Sequence, residues 1–162
     1  MITDTVLTKQ PDNRAMFEET LSKEDIENRL EDWKSRISNL YSSIEHWLDS
    51  HPSYSVRILT EVPMYEEIMQ QYHVSPTTLK VLDVYHKNQI VATIKPIGLW
   101  LIGANGRVDI LCKNGAVTLV DKSEKFHTPV WVAYSGTKSY EGKPFNSDFL
   151  FDLLGVPKNE HI

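Results

Sequence analysis

Apolar residues recur at helical spacing between positions 26 and 47, which is the longest regular pattern in the chain. Their intervals alternate between four and three residues, as one face of an α-helix requires. They are Ile26, Leu30, Trp33, Ile37, Leu40, Ile44 and Trp47. Ser22 is placed as an N-cap and Asp25 as the acid of a capping box, while Pro52 limits the other end. The pattern predicts a long N-terminal helix.

Two Asn-Gly dipeptides, Asn105-Gly106 and Asn114-Gly115, separate short apolar runs further along the chain. Asn-Gly favours the two positive φ angles of a type I′ turn, so the sequence predicts two tight hairpins. The predicted strands are residues 97–103, 107–112 and 116–121. In this register Leu101 pairs with Ile110, and Ile110 pairs with Leu119.

These pairings place the strand side chains on two faces. One face is wholly apolar and is predicted to lie under the long helix. Its members are Leu99, Leu101, Val108, Ile110, Cys112, Val117 and Leu119. The second face has Asp109 among apolar neighbours. Because burying an unpaired carboxylate is costly, Asp109 is expected at a rim or paired with Arg107.

Shorter patterns predict the remaining elements. They are a strand at 56–62, a helix at 64–72, a hairpin of 80–86 and 89–95 turning at Lys87-Asn88, a strand at 129–135, and a helix at 148–154 capped by Asn146 or Ser147 and ended by Gly155. The predicted fold is α+β, with the long N-terminal helix packed on a mainly antiparallel meander of five to six strands. Residues 1–17 are predicted to be a flexible arm and residues 18–162 a single domain.

Composition narrows the class of protein. The chain has 162 residues, 41% of them hydrophobic and 24% charged, with a net charge of −5. This is an ordinary globular composition, and the acidic balance argues against binding to a phosphate backbone. The single cysteine, Cys112, cannot form an internal disulfide, and no apolar run approaches the roughly 20 residues that span a bilayer. The N-terminus lacks the pattern of a signal peptide, so a cytoplasmic location is expected.

Residues 64–82 resemble a helix-turn-helix motif. A second helix starting after Pro76 would place Thr77, Thr78 and Lys80 in a DNA major groove. The β-prone residues that follow, and the turn at Lys87-Asn88, favour a strand over such a helix. A DNA-binding transcriptional regulator is therefore the alternative to the main hypothesis.

Asp109 and the segment Val120-Asp121-Lys122 resemble the core of a metal-dependent nuclease. That chemistry needs an acid two positions before the lysine, where this chain has Val120, while Asp121 points to the other face. A hydrolase or degenerate nuclease centred on Asp109 is the second alternative. The spacing of histidines and cysteine matches no metal site, and no catalytic residue or cofactor is predicted.

The first half of the helical stripe, Ile26, Leu30, Trp33 and Ile37, is a narrow apolar seam with charged flanks. Such a seam is typical of a pair of helices in a dimer, so these residues are candidates for forming a homodimer. Packing of the whole helix on the sheet of its own chain accounts for the stripe equally well.

The main hypothesis is a small intracellular protein-interaction module of the inhibitor, immunity or adaptor type, without catalytic activity. Its predicted partner is another protein, since a large apolar patch usually marks a partner site. The predicted binding residues occupy the second sheet face and are Trp100, Ile102, Arg107, Asp109, Leu111 and Val120. If the C-terminal helix covers that face, it is plain core instead.

Overall fold

A computed structural model describes residues 21–113, 115–136 and 141–157. The predicted arm at residues 1–17 lies outside these ranges. The elements in chain order are α1 (Lys23–Leu48), β1 (Tyr54–Met64), α2 (Glu67–Gln71), β2 (Thr77–His86), β3 (Gln89–Gly98), β4 (Arg107–Cys112), β5 (Gly115–Asp121), β6 (Trp131–Ser135), β7 (Lys143–Pro144) and α3 (Ser147–Leu154). The strands form one antiparallel sheet whose spatial order is the chain order. The predicted α+β meander is confirmed, with seven strands in the described part of the chain.

The long helix begins as the sequence predicted. The Asp25 amide donates to Ser22 Oγ at 3.2 Å, and the Ser22 amide donates to Asp25 Oδ2 at 2.9 Å, which completes the capping box. The four candidates for a dimer seam, Ile26, Leu30, Trp33 and Ile37, are at most 6% exposed in the single chain and belong to its core. In the structure these four residues therefore pack within their own chain, as the alternative interpretation of the stripe predicts.

The hairpin predicted at Asn105-Gly106 is wrong. The partner of β4 is β3, so Ile110 lies opposite Ile94 and not opposite Leu101, and residues 99–106 form a loop. Gly106 has a φ of 120°, but Asn105 does not have the positive φ of a type I′ turn.

The β4–β5 hairpin does form, in a register shifted by two residues from the predicted one. Cys112 pairs with Gly115 and Ile110 pairs with Val117, so the turn falls one residue earlier than Asn114-Gly115. A shift of two residues keeps every side chain on its face. Val108, Ile110, Val117 and Leu119 are accordingly buried under α1 as predicted, whereas Leu101 is exposed and Cys112 is half-buried.

The C-terminal helix α3 also forms as predicted, with the Phe149 amide donating to Asn146 Oδ1 and with Gly155 left-handed at its end. Aromatic contacts fix its position beside α1. The Phe145 ring lies 5.6 Å from the Trp47 ring, and the Phe151 ring lies 4.9 Å from the His51 ring. Leu150 of α3 is fully buried in the same core as the apolar residues of α1, whereas Leu111, which faces away from this core, is 44% exposed.

The segment compared with a helix-turn-helix contains no second helix. Residues 77–86 form strand β2, in which Thr77, Thr78 and Lys80 pair with residues of β1. The helix before it, α2, is also shorter than predicted. The alternative of DNA binding through this segment therefore loses its structural basis.

Candidate functional site

Two loops at one end of the sheet lie side by side: residues 99–106, between β3 and β4, and residues 122–130, between β5 and β6. The Asn105 amide donates to the Asp121 carbonyl at 2.8 Å, and the Asp121 amide donates to the Gly106 carbonyl at 3.0 Å. These two bonds continue the strand pairing beyond the sheet and join the loops. We call residues 99–106 and 122–130 the paired loops.

The first of the paired loops is anchored where it leaves β3. Glu66, just before α2, accepts the Leu99 amide at 2.8 Å and the Trp100 amide at 3.2 Å, one on each carboxylate oxygen. The Leu99 side chain is fully buried in the core. Hydrogen bonds to a carboxylate are stronger than neutral ones, so Glu66 fixes the direction in which the loop starts.

A buried ionic network holds the other end of this loop against α1. Arg36 donates to Asp32 Oδ2 at 2.8 Å, to Asp121 Oδ2 at 2.7 Å and to the Asn105 carbonyl. The second oxygen of Asp121 accepts the Ser123 and Val130 amides, both at 2.9 Å, and so closes loop 122–130 at both ends. One carboxylate and one guanidinium thus position both loops.

Gly106 is required where the loop returns to the sheet. A Cβ atom at this residue would lie 2.3 Å from Trp33 Cζ3, and its φ of 120° is one that other residues rarely adopt. The loop backbone therefore packs directly on the indole ring of α1.

Away from their anchored ends, the paired loops carry large apolar side chains that face solvent. Leu101 and Ala104 form an isolated antiparallel bridge, and Gly103 between them has a φ of 80°, the value found at the third position of a type II turn. This turn leaves the Ile102 side chain fully exposed at its tip. Three other large apolar side chains of the paired loops are exposed as well: Leu101, Phe126 and Val130.

A cleft of about 750 Å³ lies between the paired loops and α1. It is lined by Arg29, by residues 100–105 and by residues 122–125. The Arg29 guanidinium lies over the Trp100 ring at 5.7 Å and donates to Asn105 Oδ1 at 3.0 Å. Burial, together with the charge of Arg36, lowers the pKa of Arg29, while Asp32 and Glu66 act in the opposite direction.

The structure separates the residues that the sequence assigned to one binding face. Arg107, Asp109, Leu111 and Val120 do share the outer face of β4 and β5. Trp100 and Ile102 do not, because they belong to the loop that replaces the predicted strand. The predicted apolar neighbours of Asp109 are likewise wrong, since Asp109 lies opposite Lys95 on β3 and Thr118 on β5.

The predicted ion pair of Asp109 is present. Arg107 Nε and Nη2 lie 2.9 Å and 3.0 Å from the two carboxylate oxygens, and this hydrogen bonding raises the pKa of Arg107. Asp121, on the inner face, is engaged with Arg36. The two aspartates thus lie on opposite faces, so the nuclease core is not assembled. Within the described ranges, no three histidine, cysteine or acidic side chains cluster as a metal site would need.

Sequence reasoning did not identify Arg29, Asn105, Phe126 and Val130 as part of a site. The sequence predicts a tight turn at Asn105, and it places Arg29 among the charged residues that flank the apolar seam of the helix. The only usable signal was Phe126, a large apolar residue within the otherwise polar segment 122–128.

None of the described helices is long and apolar enough to cross a membrane. Comparison of the chain with protein-family models, with curated proteins and with solved structures gave no match.

Proposed function

We propose that this chain is a protein-binding module of the inhibitor, immunity or adaptor type, and that the paired loops are its recognition surface. The observation that carries the proposal is the fully exposed Ile102 at the tip of an anchored loop. A single exposed aliphatic residue is ordinary, but contiguous apolar surface on a protein usually marks an interaction site. Ile102 and Phe126 line two clefts that share residues 122–124, so both side chains belong to the surface of the paired loops at this end of the sheet.

The anchoring of the loops supports a binding role for their exposed apolar residues. Association is weakened by the entropy lost when loops and side chains become ordered. Here Glu66, Asn105 and Asp121 already order the loop backbone through hydrogen bonds within the chain. Half-buried Trp100 at the base of the tip is of the residue type that most often dominates an interface.

Site-specific photocrosslinking tests the proposal. We would place p-benzoylphenylalanine at Ile102 in the full chain, irradiate in the native host, and expect one discrete crosslinked protein. The matched control is the same substitution at Ile90, which is also exposed but lies beside the β2–β3 turn at the other end of the sheet.

The captured protein would then be titrated with purified variants. We expect Ile102→Lys to weaken binding by about 2 kcal/mol or more, the usual effect at a dominant interface residue, while Ile90→Lys leaves the dissociation constant unchanged. Equal affinity for the two variants would refute the paired loops as the recognition surface.

A further inference from the structure

We infer that the cleft between the paired loops and α1 receives an acidic segment of the partner protein, with Arg29, Lys122 and Lys125 meeting its carboxylates. This inference rests on the proposed function and specifies the chemistry of the partner. Two observations support it: the positive charge of the cleft, and polar atoms in the cleft wall that have no hydrogen-bond partner among the described residues.

The charge of the cleft is opposite to that of the chain. Three cationic side chains line it, Arg29, Lys122 and Lys125, against one carboxylate, Glu124. The chain as a whole has a net charge of −5. The nearby carboxylate of Glu66 is already engaged by the Leu99 and Trp100 amides. A local excess of positive charge on an acidic protein favours a partner with negative charge at this position.

Arg29 differs from the other two arginines that are hydrogen-bonded in this part of the fold. Arg36 has two carboxylate partners and Arg107 has one, whereas Arg29 is bound only by the Asn105 amide oxygen and the Trp100 ring among the described residues. Its Nε is withdrawn from solvent without a hydrogen-bond partner, and so is Ser123 Oγ in the same cleft. A guanidinium that is partly withdrawn from water is stabilised by an anion, most strongly by a carboxylate.

The position of the cleft explains how acidic and apolar recognition would combine. Ile102, at the tip of the loop, and Trp100, under the Arg29 guanidinium, both line the cleft. A partner segment with an aspartate or glutamate next to an apolar residue would therefore contact the cations and the loop tip together. Three cations in one cleft are too few for a phosphate-backbone site, which extends over a longer basic surface.

Nuclear magnetic resonance titration of the full chain tests the inference with a defined probe. The probe is acetylated, amidated hexaglutamate, with hexaglutamine as the uncharged control. We expect saturable shifts at the Trp100 indole N–H and the Ser123 amide with hexaglutamate and none with hexaglutamine. Shifts confined to other residues, or tighter binding of a DNA duplex at the same residues, would overturn the inference.

Two pairs of lysine substitutions give the matched comparison, because Arg29→Gln would also loosen Asn105. Lys122→Gln with Lys125→Gln should raise the dissociation constant roughly three- to tenfold, as expected for two exposed charges. Lys87→Gln with Lys113→Gln removes the same charge at the opposite end of the sheet and should have no effect. Equal weakening by both pairs would show unspecific attraction and would contradict the inference.

The captured partner separates this inference from the proposed function. If Ile102→Lys abolishes its binding while the Lys122 and Lys125 pair leaves it unchanged, the paired loops are the recognition surface and the acidic-segment inference is wrong. If hexaglutamate binds the cleft but no protein crosslinks at position 102, the proposed function fails and the anion site remains.

Discussion

Arg36 Nη1 and Asp121 Oδ2 lie 2.7 Å apart, and both side chains are almost completely withdrawn from solvent. They stand 85 residues apart in the chain, on α1 and at the end of β5. The pair joins the helix to both of the paired loops, since Arg36 also binds the Asn105 carbonyl and Asp121 also binds two amides of loop 122–130. The geometry of the candidate site thus depends on one buried ion pair.

Replacing Asp121 by asparagine should therefore be strongly destabilising. Removing one charge of a buried pair leaves the other uncompensated and costs about 3–5 kcal/mol. We expect the lower end of that range, because Asp32 still contacts Arg36 at 2.8 Å. Urea unfolding followed by circular dichroism would measure the change.

The matched control is Asp109→Asn, which breaks the Arg107–Asp109 pair on the outer face. That pair is partly exposed, so the expected cost is about 0–1 kcal/mol. Similar losses for the two variants would contradict the structural role assigned to Asp121.

The register found in the sheet predicts a contrast between neighbours on β4. Ile110 is fully buried between Ile94 and Val117, so Ile110→Ala should cost about 2–5 kcal/mol. Leu111 is the next residue but faces outward and is 44% exposed, so Leu111→Ala should cost about 0.5 kcal/mol or less. Thermal unfolding of the two variants would measure both losses of stability. A larger loss for Leu111→Ala than for Ile110→Ala would show that the face assignment is inverted.

Local signals were sufficient for the helices and for two of the hairpins. The capping box of α1, the Asn146 cap of α3 and the Lys87-Asn88 turn each depend on residues close together in the chain. The predicted burial of Val108, Ile110, Val117 and Leu119 on β4 and β5 is also confirmed, because a two-residue shift of register preserves the faces.

The β3–β4 pairing could not be predicted in this way. The Asn105-Gly106 dipeptide favours the nearer apolar residue, Leu101, as the partner of Ile110, whereas the actual partner, Ile94, lies beyond loop 99–106. The choice depends on contacts distant in sequence, since Asn105 binds Arg36 across 69 residues and Glu66 binds Trp100 across 34. Of the residues that line the cleft, the sequence predicted only Trp100 and Ile102 as binding residues, because the position of their loop depends on side chains distant in the chain.

Stability at high pH should depend on Tyr41. Its hydroxyl donates to the Lys80 carbonyl at 2.6 Å, with the Ile94 carbonyl oxygen 3.2 Å away as a weaker second acceptor, and burial raises the pKa of the phenol above its ordinary value. The unfolded chain ionises this group at about pH 10. The free energy of unfolding that the neutral phenol contributes is therefore fully present below pH 10. It is lost as the pH rises further, by about 1.4 kcal/mol per pH unit.

Urea unfolding between about pH 9 and pH 11 would test this dependence on Tyr41. The wild type should lose stability more steeply than Tyr41→Phe above pH 10, although the variant is less stable at neutral pH by about 1 kcal/mol for its lost hydrogen bond. Tyr65→Phe, which alters an exposed tyrosine, should behave as the wild type does. Parallel curves for wild type and Tyr41→Phe would rule out the buried phenol as the cause.

Glu66→Ala should loosen loop 99–106, the first of the paired loops, without unfolding the protein. Glu66 is only partly buried, and its two hydrogen bonds go to the Leu99 and Trp100 amides. Without this acceptor both amides should open more often, and hydrogen exchange at each should accelerate by about tenfold for every 1.4 kcal/mol of lost protection. Glu67→Ala removes the next glutamate, which is exposed on α2, and should leave both exchange rates unchanged. Unaltered exchange in Glu66→Ala would show that the loop is ordered by other contacts.

If the loop is the recognition surface, the same variant should also bind the partner captured at Ile102 more weakly, because the ordering that Glu66 provides would then have to occur on binding.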